Sequence, residues 1–330
     1  MLDIMIKNGD RVYQPVVKDG ATLKRVKNGP STFTFTLIND PLVTIVEGDL
    51  VSVTSDDLRP YNEHHSIFKG YVFKIGTSQN GEVNITAYDQ IRYLNNTDTV
   101  TYSDMTLTDM LRMLCDATKI KSGPDIMATG YVIPYRVEDN KSYLDMIMTA
   151  IQLTAQNTGK EYILWDNFGE IALHDTEFLK TGLRINKETA QDIQFETSID
   201  ENTYNQVKLF RENEDKTREV FVQSDPNKIN KWGLLQTCDS VSKDENGDEK
   251  AKTMLNEHDH PSRTCTVSGA FGDMRVRGGT TLHVQFDLVD MGYCENDNAV
   301  DHFLSVESVT HNFTANKHTM DLDLKGWFAG

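Results

Sequence analysis

Two histidines near the end of the sequence have the residue type and the spacing that could support chemistry. His311 and His318 lie seven residues apart in the segment 305–324, SVESVTHNFTANKHTMDLDL, which alternates apolar and polar residues as a strand does. Imidazole nitrogens bind zinc and transfer protons near neutral pH. The pair is therefore a candidate metal site, a candidate catalytic pair, or part of the packed wall of a sheet.

A hairpin with a two-residue turn at 315–316 would bring the two histidines onto one face. Side chains in a strand alternate between faces, so Phe313 should lie opposite His318, and His311 opposite Met320. The histidines would then be diagonal neighbours, with their Cα atoms roughly 7–8 Å apart. The predicted wall of this hairpin consists of Val309, His311, Phe313, His318, Met320 and Leu322.

The sequence favours this structural role over a metal site. Zinc takes three or four ligands, and no Cys, Asp or Glu flanks His311 and His318 on their shared face. His258 and His260, in EHDHPS, offer a second pair, but the acidic residues around them indicate an exposed loop. His311 and His318 remain the alternative metal candidates. No phosphate-loop, GxSxG or HExxH signature is present, so neither a cofactor nor a catalytic residue is predicted.

The cysteines also lack the spacing of a metal site. Cys115, Cys238, Cys265 and Cys294 form no CxxC pair, and four cysteines in 330 residues do not make a disulfide scaffold. We interpret them as reduced thiols of a protein made in the cytosol.

The net charge of the chain limits the classes of partner that it can bind tightly. The formal net charge is -17, whereas tight nucleic-acid binding and anionic membrane surfaces require clustered Lys and Arg. No run approaches the roughly 20 apolar residues that a membrane span needs. The composition therefore predicts no tight nucleic-acid binding and no membrane, and it favours a basic protein partner or an acidic face that repels DNA.

The first part of the chain, residues 1–96, has the pattern of a β domain. Asn-Gly pairs such as Asn80-Gly81 supply the positive φ angles of tight hairpin turns. The segments STFTFTLI at 31–38 and GEVNITAYD at 81–89 alternate cleanly, as strands with one buried face do. Several strands at this spacing predict a barrel or a sandwich.

The pattern becomes helical in the middle part, residues 97–190. Thr106 with Asp109, and Ser142 with Asp145, resemble the capping boxes that begin helices, and Gly159 would end the second helix. The segment 161–175 then predicts strand, turn and strand. We expect a small α/β domain here.

From residue 191 to 330 the β pattern returns. An acidic insert at about 238–260 interrupts it, with one short helix expected at 248–256. The segments 68–89 and 303–324 have the same order of strand, polar turn and alternating strand. The sequence therefore leaves open whether they arose by an internal duplication. The expected fold is α+β and mostly β, with two tube-like β-barrel domains, a small α/β domain between them and a short helical insert in the second barrel.

Four segments in order along the chain resemble a known family. They are ITAYDQIRYLNNTDTVTYSDMTLTDMLRMLC at 85–115, NKSYLDMIMTAIQLTAQNTGKEYILWDNFGEIAL at 140–173, PSRTCTVSGAFGDMRVRGGTTLHV at 261–284 and SVESVTHNFTANKHTMDLDLKGWF at 305–328. They resemble the phage late-control D and XkdQ-like family of tail baseplate hub proteins, and most of all the hubs of PBSX-like prophages and contractile bacteriocins.

The resemblance implies a structural protein with no enzymatic role. It implies a homotrimeric ring that adapts the hexameric tail tube protein to the trimeric central spike protein in a contractile tail or bacteriocin particle. Other baseplate proteins are further expected partners, with the tape-measure protein as an additional candidate. Assembly would take place in the bacterial cytoplasm. The alternative is a β-rich cell-wall or carbohydrate-active protein, and a metalloprotein using His311 and His318 is the third hypothesis.

Overall fold

The computed structural model describes residues 2–58, 63–212, 216–241, 246–287, 299–315 and 317–326. The fold is mostly β, as predicted. It divides into two compact units, Met1–Gln194 with Thr266–Gly330, and Phe195–Cys265. The predicted division at 1–96, 97–190 and 191–330 stays a prediction.

The N-terminal region is a set of antiparallel strands around one apolar core. The strands are β1 (Asp3–Asn8), β2 (Arg11–Tyr13), β3 (Val17–Val26), β4 (Thr32–Ile38), β5 (Leu50–Leu58), β6 (Glu63–Thr77) and β7 (Glu82–Tyr88). The alternation predicted for β4 is confirmed, because Phe33, Phe35 and Leu37 are buried while Thr34 between them is exposed. β7 pairs with β4 and buries Ile85 in the same core.

The middle region packs two helices against small sheets. A short 3-10 helix (Gln90–Asn95) leads into it. Its elements are β8 (Thr97–Tyr102), β9 (Met105–Thr106), α1 (Leu107–Thr118), β10 (Ser122–Ile126), β11 (Val132–Ile133), β12 (Arg136–Ser142), α2 (Tyr143–Thr158), β13 (Tyr162–Asp166) and β14 (Ile171–Asp175).

Both predicted helix starts are confirmed. The Thr106 hydroxyl accepts a hydrogen bond from the backbone N–H of Asp109 at 3.1 Å, and Ser142 does the same for Asp145 at 3.0 Å. Each cap satisfies a backbone donor that has no partner within the helix. α2 ends where Gly159 takes a φ of 69°, as expected for a C-terminal glycine.

The unit formed by Phe195–Cys265 is a three-stranded sheet with helices. It follows β15 (Lys180–Ile185) and β16 (Asp192–Ser198), and it contains β17 (Gln206–Glu212), β18 (Arg218–Ser224), α3 (Pro226–Trp232), β19 (Gln236–Ser240) and α4 (Gly247–His258). β17 lies between β18 and β19.

α4 confirms the short helix predicted in the acidic insert. It begins at Gly247 because the Asn246 side chain accepts hydrogen bonds from the backbone N–H groups of Asp248 and Glu249. It buries Ala251 in a core with Val207 and Leu209 of β17. Residues 242–245 of the predicted insert lie outside the described residues.

One long strand joins the N-terminal region to the closing strands. The remaining elements are β20 (Ser262–Phe271), β21 (Thr281–Asp287), β22 (Ala299–Phe313) and β23 (His318–Lys325). β22 pairs with β21 through its first half and with β3 through its second half. The resulting sheet has the order β16-β20-β23-β22-β3-β4-β7-β6-β5-β1-β2.

The close approach of β3 and β22 depends on a glycine. Gly20 has a φ of 99°, and a Cβ there would lie 1.9 Å from the carbonyl oxygen of Phe313. Any side chain at this position would therefore force the two strands apart.

Three of the four cysteines lie within the described residues and are free: Cys115 and Cys265 are buried and Cys238 is exposed. Cys294 lies outside the described residues. Among the helices that the structure describes, none is long and apolar enough to span a membrane.

Candidate functional site

β22 and β23 form the predicted hairpin. Phe313 lies opposite His318, and His311 opposite Met320, as a two-residue turn at 315–316 requires. The backbone N–H of Thr314 donates to the carbonyl of Lys317 at 2.9 Å and closes the turn. Asn316 itself lies outside the described residues. The structural role assigned to the hairpin wall stays a prediction.

The two histidines are joined directly. His311 Nδ1 lies 3.0 Å from His318 Nε2, and His311 Nε2 lies 3.0 Å from the carbonyl oxygen of Val276. A carbonyl only accepts, so His311 carries its proton on Nε2 and donates it to Val276. His311 Nδ1 must then accept, and His318 donates through its own Nε2.

This chain of donors leaves one nitrogen without a partner. His318 Nδ1 is buried and has no hydrogen bond. The His318 ring also stacks on Phe313 with centroids 4.7 Å apart, and a Cβ at Gly272 would lie 2.2 Å from it. The ring is therefore held by packing on both faces as well as by its hydrogen bond.

A buried arginine lies beside the histidines. Arg25, on β3, donates to the carbonyl oxygens of Ile67 at 2.8 Å and of Met274 at 3.1 Å. Burial lowers the pKa of Arg25, yet a guanidinium keeps its charge inside proteins. One side chain thus ties β3 to β6 and to the segment around Met274, both distant in sequence.

The electrostatics keep both histidines neutral. Burial, and then the charge on Arg25, hold the pKa of His311 well below its ordinary value. The same two causes lower the pKa of His318 to about 4, although the Asp273 carboxylate opposes them. Asp273 is itself paired with Arg275 at 2.7 Å.

The loop 272–280 covers this cluster. It connects β20 to β21 and contributes Asp273 and Val276. The backbone N–H of Gly279 donates to the carbonyl of Val306 on β22 at 2.7 Å, which fixes the far end of the loop. Nothing in the local sequence of this loop indicates the buried charges beneath it.

A second buried cluster lies at the start of the middle region. Asp89 accepts from the backbone N–H of Ser31 at 2.7 Å, and Asp166 accepts from Gly169 at 2.6 Å. Burial, and then the Asp166 carboxylate, raise the pKa of Asp89 to about 8. Burial raises the pKa of Asp166 to about 6. Arg277 stacks over the Trp165 ring at 5.1 Å and favours the charged form of both carboxyls.

A short turn fastens the middle region to the sheet. The Asn28 side chain accepts from the backbone N–H of Leu164 at 2.7 Å, and Lys27 pairs with Glu161 at 2.7 Å and with Glu307 at 3.3 Å. The β3–β4 turn, β13 and β22 are thereby linked. The Asn-Gly pair at 28–29 is a turn signal in the sequence, but no local pattern indicates its contact with β13.

The chemistry of a metal site fits the histidine hairpin poorly. Both ring nitrogens of His311 are already engaged, so a metal would have to displace a protein partner. The second predicted pair is also held by its neighbours: His258 Nδ1 lies 3.0 Å from the carbonyl of Asn202, and His260 Nδ1 3.2 Å from that of Pro261. No group of three or more His, Cys, Asp or Glu with ligand geometry occurs in the described part of the chain.

The chain is similar to several proteins of known sequence or structure. The phage-like element PBSX protein XkdQ of Bacillus subtilis strain 168 is 27% identical over 269 residues, which cover 78% of this chain and 77% of that protein. The 43 kDa tail protein of prophage MuSo2 from Shewanella oneidensis superposes with a TM-score of 0.65 at 14% identity, over 97% of each chain.

A secretion-system component has the same fold. The E. coli c3393 protein, a component of the type VI secretion system with structural similarity to the T4 bacteriophage tail proteins gp27 and gp5, superposes with a TM-score of 0.53 at 8% identity. The match covers 98% of this chain and 77% of that one. A family model described as YQBQ-like matches residues 22–325. This protein therefore belongs to the YQBQ-like family.

Proposed function

We propose that the protein is the structural hub of a contractile tail or bacteriocin particle, without enzymatic activity. Three copies would form a ring between the hexameric tail tube and the trimeric central spike. The observation that carries this proposal is the pairing of β22 with β3, which joins the β strands at the two ends of one chain into a single sheet. Family membership and the tail proteins of the same fold support it.

The adaptor role requires two similar β units in each chain. We assign them to two tube-like barrels, one at 1–96 and one within 191–330, with the α/β region 97–190 between them. The hairpins β6–β7 and β22–β23 support this assignment, because each is an antiparallel pair and both lie within the one sheet that contains β3 and β22. Three chains would then present six similar units to the tube and three-fold features to the spike.

The edge strands of the sheet that contains β3 and β22 are suited to pairing with other chains. Its order runs from β16 to β2, and end strands offer unpaired backbone groups that invite pairing with another chain. A ring of three copies would cover these edges. The charge of -17 suits a channel through which DNA or the tape-measure protein passes without sticking.

The proposed partners follow from this position. They are two further copies of the chain, the tail tube protein, the central spike protein and neighbouring baseplate proteins, with the tape-measure protein as a passing contact. Assembly would take place in the bacterial cytoplasm before the particle is released.

Light scattering on the purified chain tests the proposal. We expect a trimer, or a monomer that becomes a trimer when the spike protein is added. A chain that stays monomeric with the spike and digests peptidoglycan would instead support the cell-wall hydrolase alternative. Zinc that is retained after dialysis and lost on changing His311 and His318 to Ala would support the metalloprotein alternative.

A further inference from the structure

The segment 273–277 of the loop between β20 and β21 has glycines at both ends. Gly272 precedes it, and a Cβ there would lie 2.2 Å from the His318 ring. Gly278 and Gly279 follow it, and Gly279 has a φ of 88°. Glycines can absorb large changes of backbone angle, so the segment has a possible hinge at each end. We call the segment 273–277 the strap.

Two buried side chains from different strands hold the strap by its carbonyl groups. The carbonyl oxygen of Val276 accepts from His311 Nε2 at 3.0 Å and from the Arg25 guanidinium at 3.4 Å. Arg25 also donates to the carbonyl oxygen of Met274 at 3.1 Å. Because one carbonyl receives both donors, the His311 ring and the Arg25 cation lie next to each other beneath the strap.

The strap also contacts the middle region. The Arg277 guanidinium stacks over the buried Trp165 ring of β13 at 5.1 Å. Just beyond the strap, the backbone N–H of Gly279 donates to the carbonyl of Val306 at 2.7 Å, and this bond involves neither histidine. The bond fixes the second hinge. A movement of the strap about it would therefore change the surroundings of Trp165.

The groups around His311 and His318 disfavour any added positive charge. The charged and titratable groups that face the two rings are Arg25 on β3, His65 on β6, and Asp273 and Arg277 in the strap. The Asp273 carboxylate is already paired with Arg275 at 2.7 Å. A proton added to either ring therefore places a second cation in a buried site beside Arg25, whose own charge is permanent.

The hydrogen bonds of the pair leave no place for added protons. His311 Nδ1 and His318 Nε2 share one bond at 3.0 Å, and His311 Nε2 donates to Val276. A first added proton puts an N–H on His318 Nδ1, which is buried without a hydrogen-bond partner among the described residues. A second leaves N–H groups on both facing nitrogens, so the two rings repel each other.

We propose that acid releases the strap: protonation of His311 and His318 frees it from Arg25 and lifts Arg277 off Trp165, while the strands beneath it stay paired. The strands are held by the backbone hydrogen bonds of β22 with β3 and with β23, which contain no titratable group. The release requires no partner, and it is independent of whether the chain assembles into a ring.

Hydrogen exchange on the full chain tests the release. The pKa of His318 is about 4 in the fold and returns to its ordinary value near 6.5 when the strap opens. Between pH 7 and about pH 4.5, the amides of 272–277 should therefore lose protection by roughly tenfold or more, after correction for their intrinsic exchange rates. The amides of β22 and β23 should keep their protection.

Glutamine at both histidine positions should keep the strap closed. In the variant His311→Gln with His318→Gln, one side-chain amide can still donate to Val276 and the other to its neighbour, and neither titrates. The strap should then be equally protected at both pH values. His260→Gln, at an exposed position outside this cluster, is the control and should open in acid as wild type does.

Trp165 gives a readout that does not depend on the histidine variants. In a chain with Trp232→Phe and Trp327→Phe, Trp165 is the single tryptophan that remains. Its fluorescence emission should shift to longer wavelength over the same pH range as the loss of protection, because Arg277 leaves its ring. Far-UV circular dichroism should stay unchanged over that range.

Three results would overturn the proposal. If the strap, β22 and β23 lose protection together, or if the emission and the circular dichroism change at the same pH, acid unfolds the sheet as a whole. A strap that is still protected at about pH 4.5 shows that the fold tolerates the protonated rings. Equal opening in the glutamine variant assigns the pH dependence to another group, such as Asp273.

Discussion

His311 and His318 share one hydrogen bond across the β22–β23 hairpin, with Nδ1 of the first 3.0 Å from Nε2 of the second. Because His311 donates its Nε2–H to the carbonyl of Val276, its Nδ1 must be unprotonated to accept the bond from His318. The hairpin therefore depends on the protonation state of two buried bases, and this dependence can be measured.

The first prediction concerns acid sensitivity. The pKa of His318 is about 4 in the folded chain and near 6.5 in the unfolded chain, so between these values the unfolded state binds more protons. The contribution of His318 to the free energy of unfolding is fully present above pH 6.5 and is lost as the pH falls towards 4. It amounts to about 2 kcal/mol between pH 7 and pH 5. Urea unfolding of wild type and His318→Gln should show it, because the glutamine keeps a donor to His311 but does not titrate. Equal pH dependence in the two proteins would contradict the neutral pair.

The second prediction concerns two buried carboxyls, which should make the free energy of unfolding change with pH in the opposite direction. The folded state raises the pKa of Asp89 to about 8 and of Asp166 to about 6, so it retains protons that the unfolded chain releases above pH 4. The free energy of unfolding should therefore fall by several kcal/mol as the pH rises from about 4 to 8. Asp166→Asn should reduce this decrease in unfolding free energy, because it removes the carboxylate that repels Asp89.

Asp116→Asn, at an exposed position on α1, is the control for this experiment. It should keep the wild-type dependence on pH. A wild-type chain that becomes more stable from pH 6 to pH 8 would show that the Asp89 and Asp166 carboxyls are charged in the fold.

A third prediction tests Arg25. Arg25→Met leaves the carbonyls of Ile67 and Met274 without a donor in a buried site, which should cost about 2–4 kcal/mol of unfolding free energy. Lys24→Met, the exposed neighbour on the same strand, should change stability by less than about 0.5 kcal/mol. If chemical denaturation gives similar values for the two variants, Arg25 does not hold the loop and the strands together.

The fourth prediction concerns the hairpin wall. Met320 is fully buried, so Met320→Asp places a carboxylate in an apolar face and should unfold the hairpin or abolish soluble expression. Lys317→Asp, at an exposed position beside the turn, should fold normally. A Met320→Asp chain with a native melting temperature would mean that the strand register is wrong.

The local structure could be predicted because it depends on neighbours in the sequence. The caps at Thr106 and Ser142 and the alternation of β4 each follow from residues only a few positions apart. The register of β22 and β23 follows in the same way from the length of their turn.

The buried clusters could not be predicted, because their members meet only in the folded chain. Arg25 and Met274 are separated by 249 residues, and nothing near Arg25 in the sequence distinguishes it from the exposed Lys24. Asp89 caps the short 3-10 helix and Asp166 accepts from Gly169 in a turn, and aspartate is common at both kinds of position. Their perturbed pKa values come from burial between segments that no local pattern connects.

The pairing of β3 with β22 is the long-range contact that matters most for the proposed role. The sequence hinted at two similar hairpins, but it did not indicate that strands from the two ends of the chain share one sheet. Gly20 was the available signal, since a residue that must accept a second backbone at close range has to be glycine.

Imaging of the assembled particle, with the density of this chain located along the tail axis, tests the central claim most directly. The account predicts three copies in one ring, with six similar β units facing the tube and the spike attached on the other side. Density for this chain on the outside of the tail, or in a number of copies other than three, would contradict it.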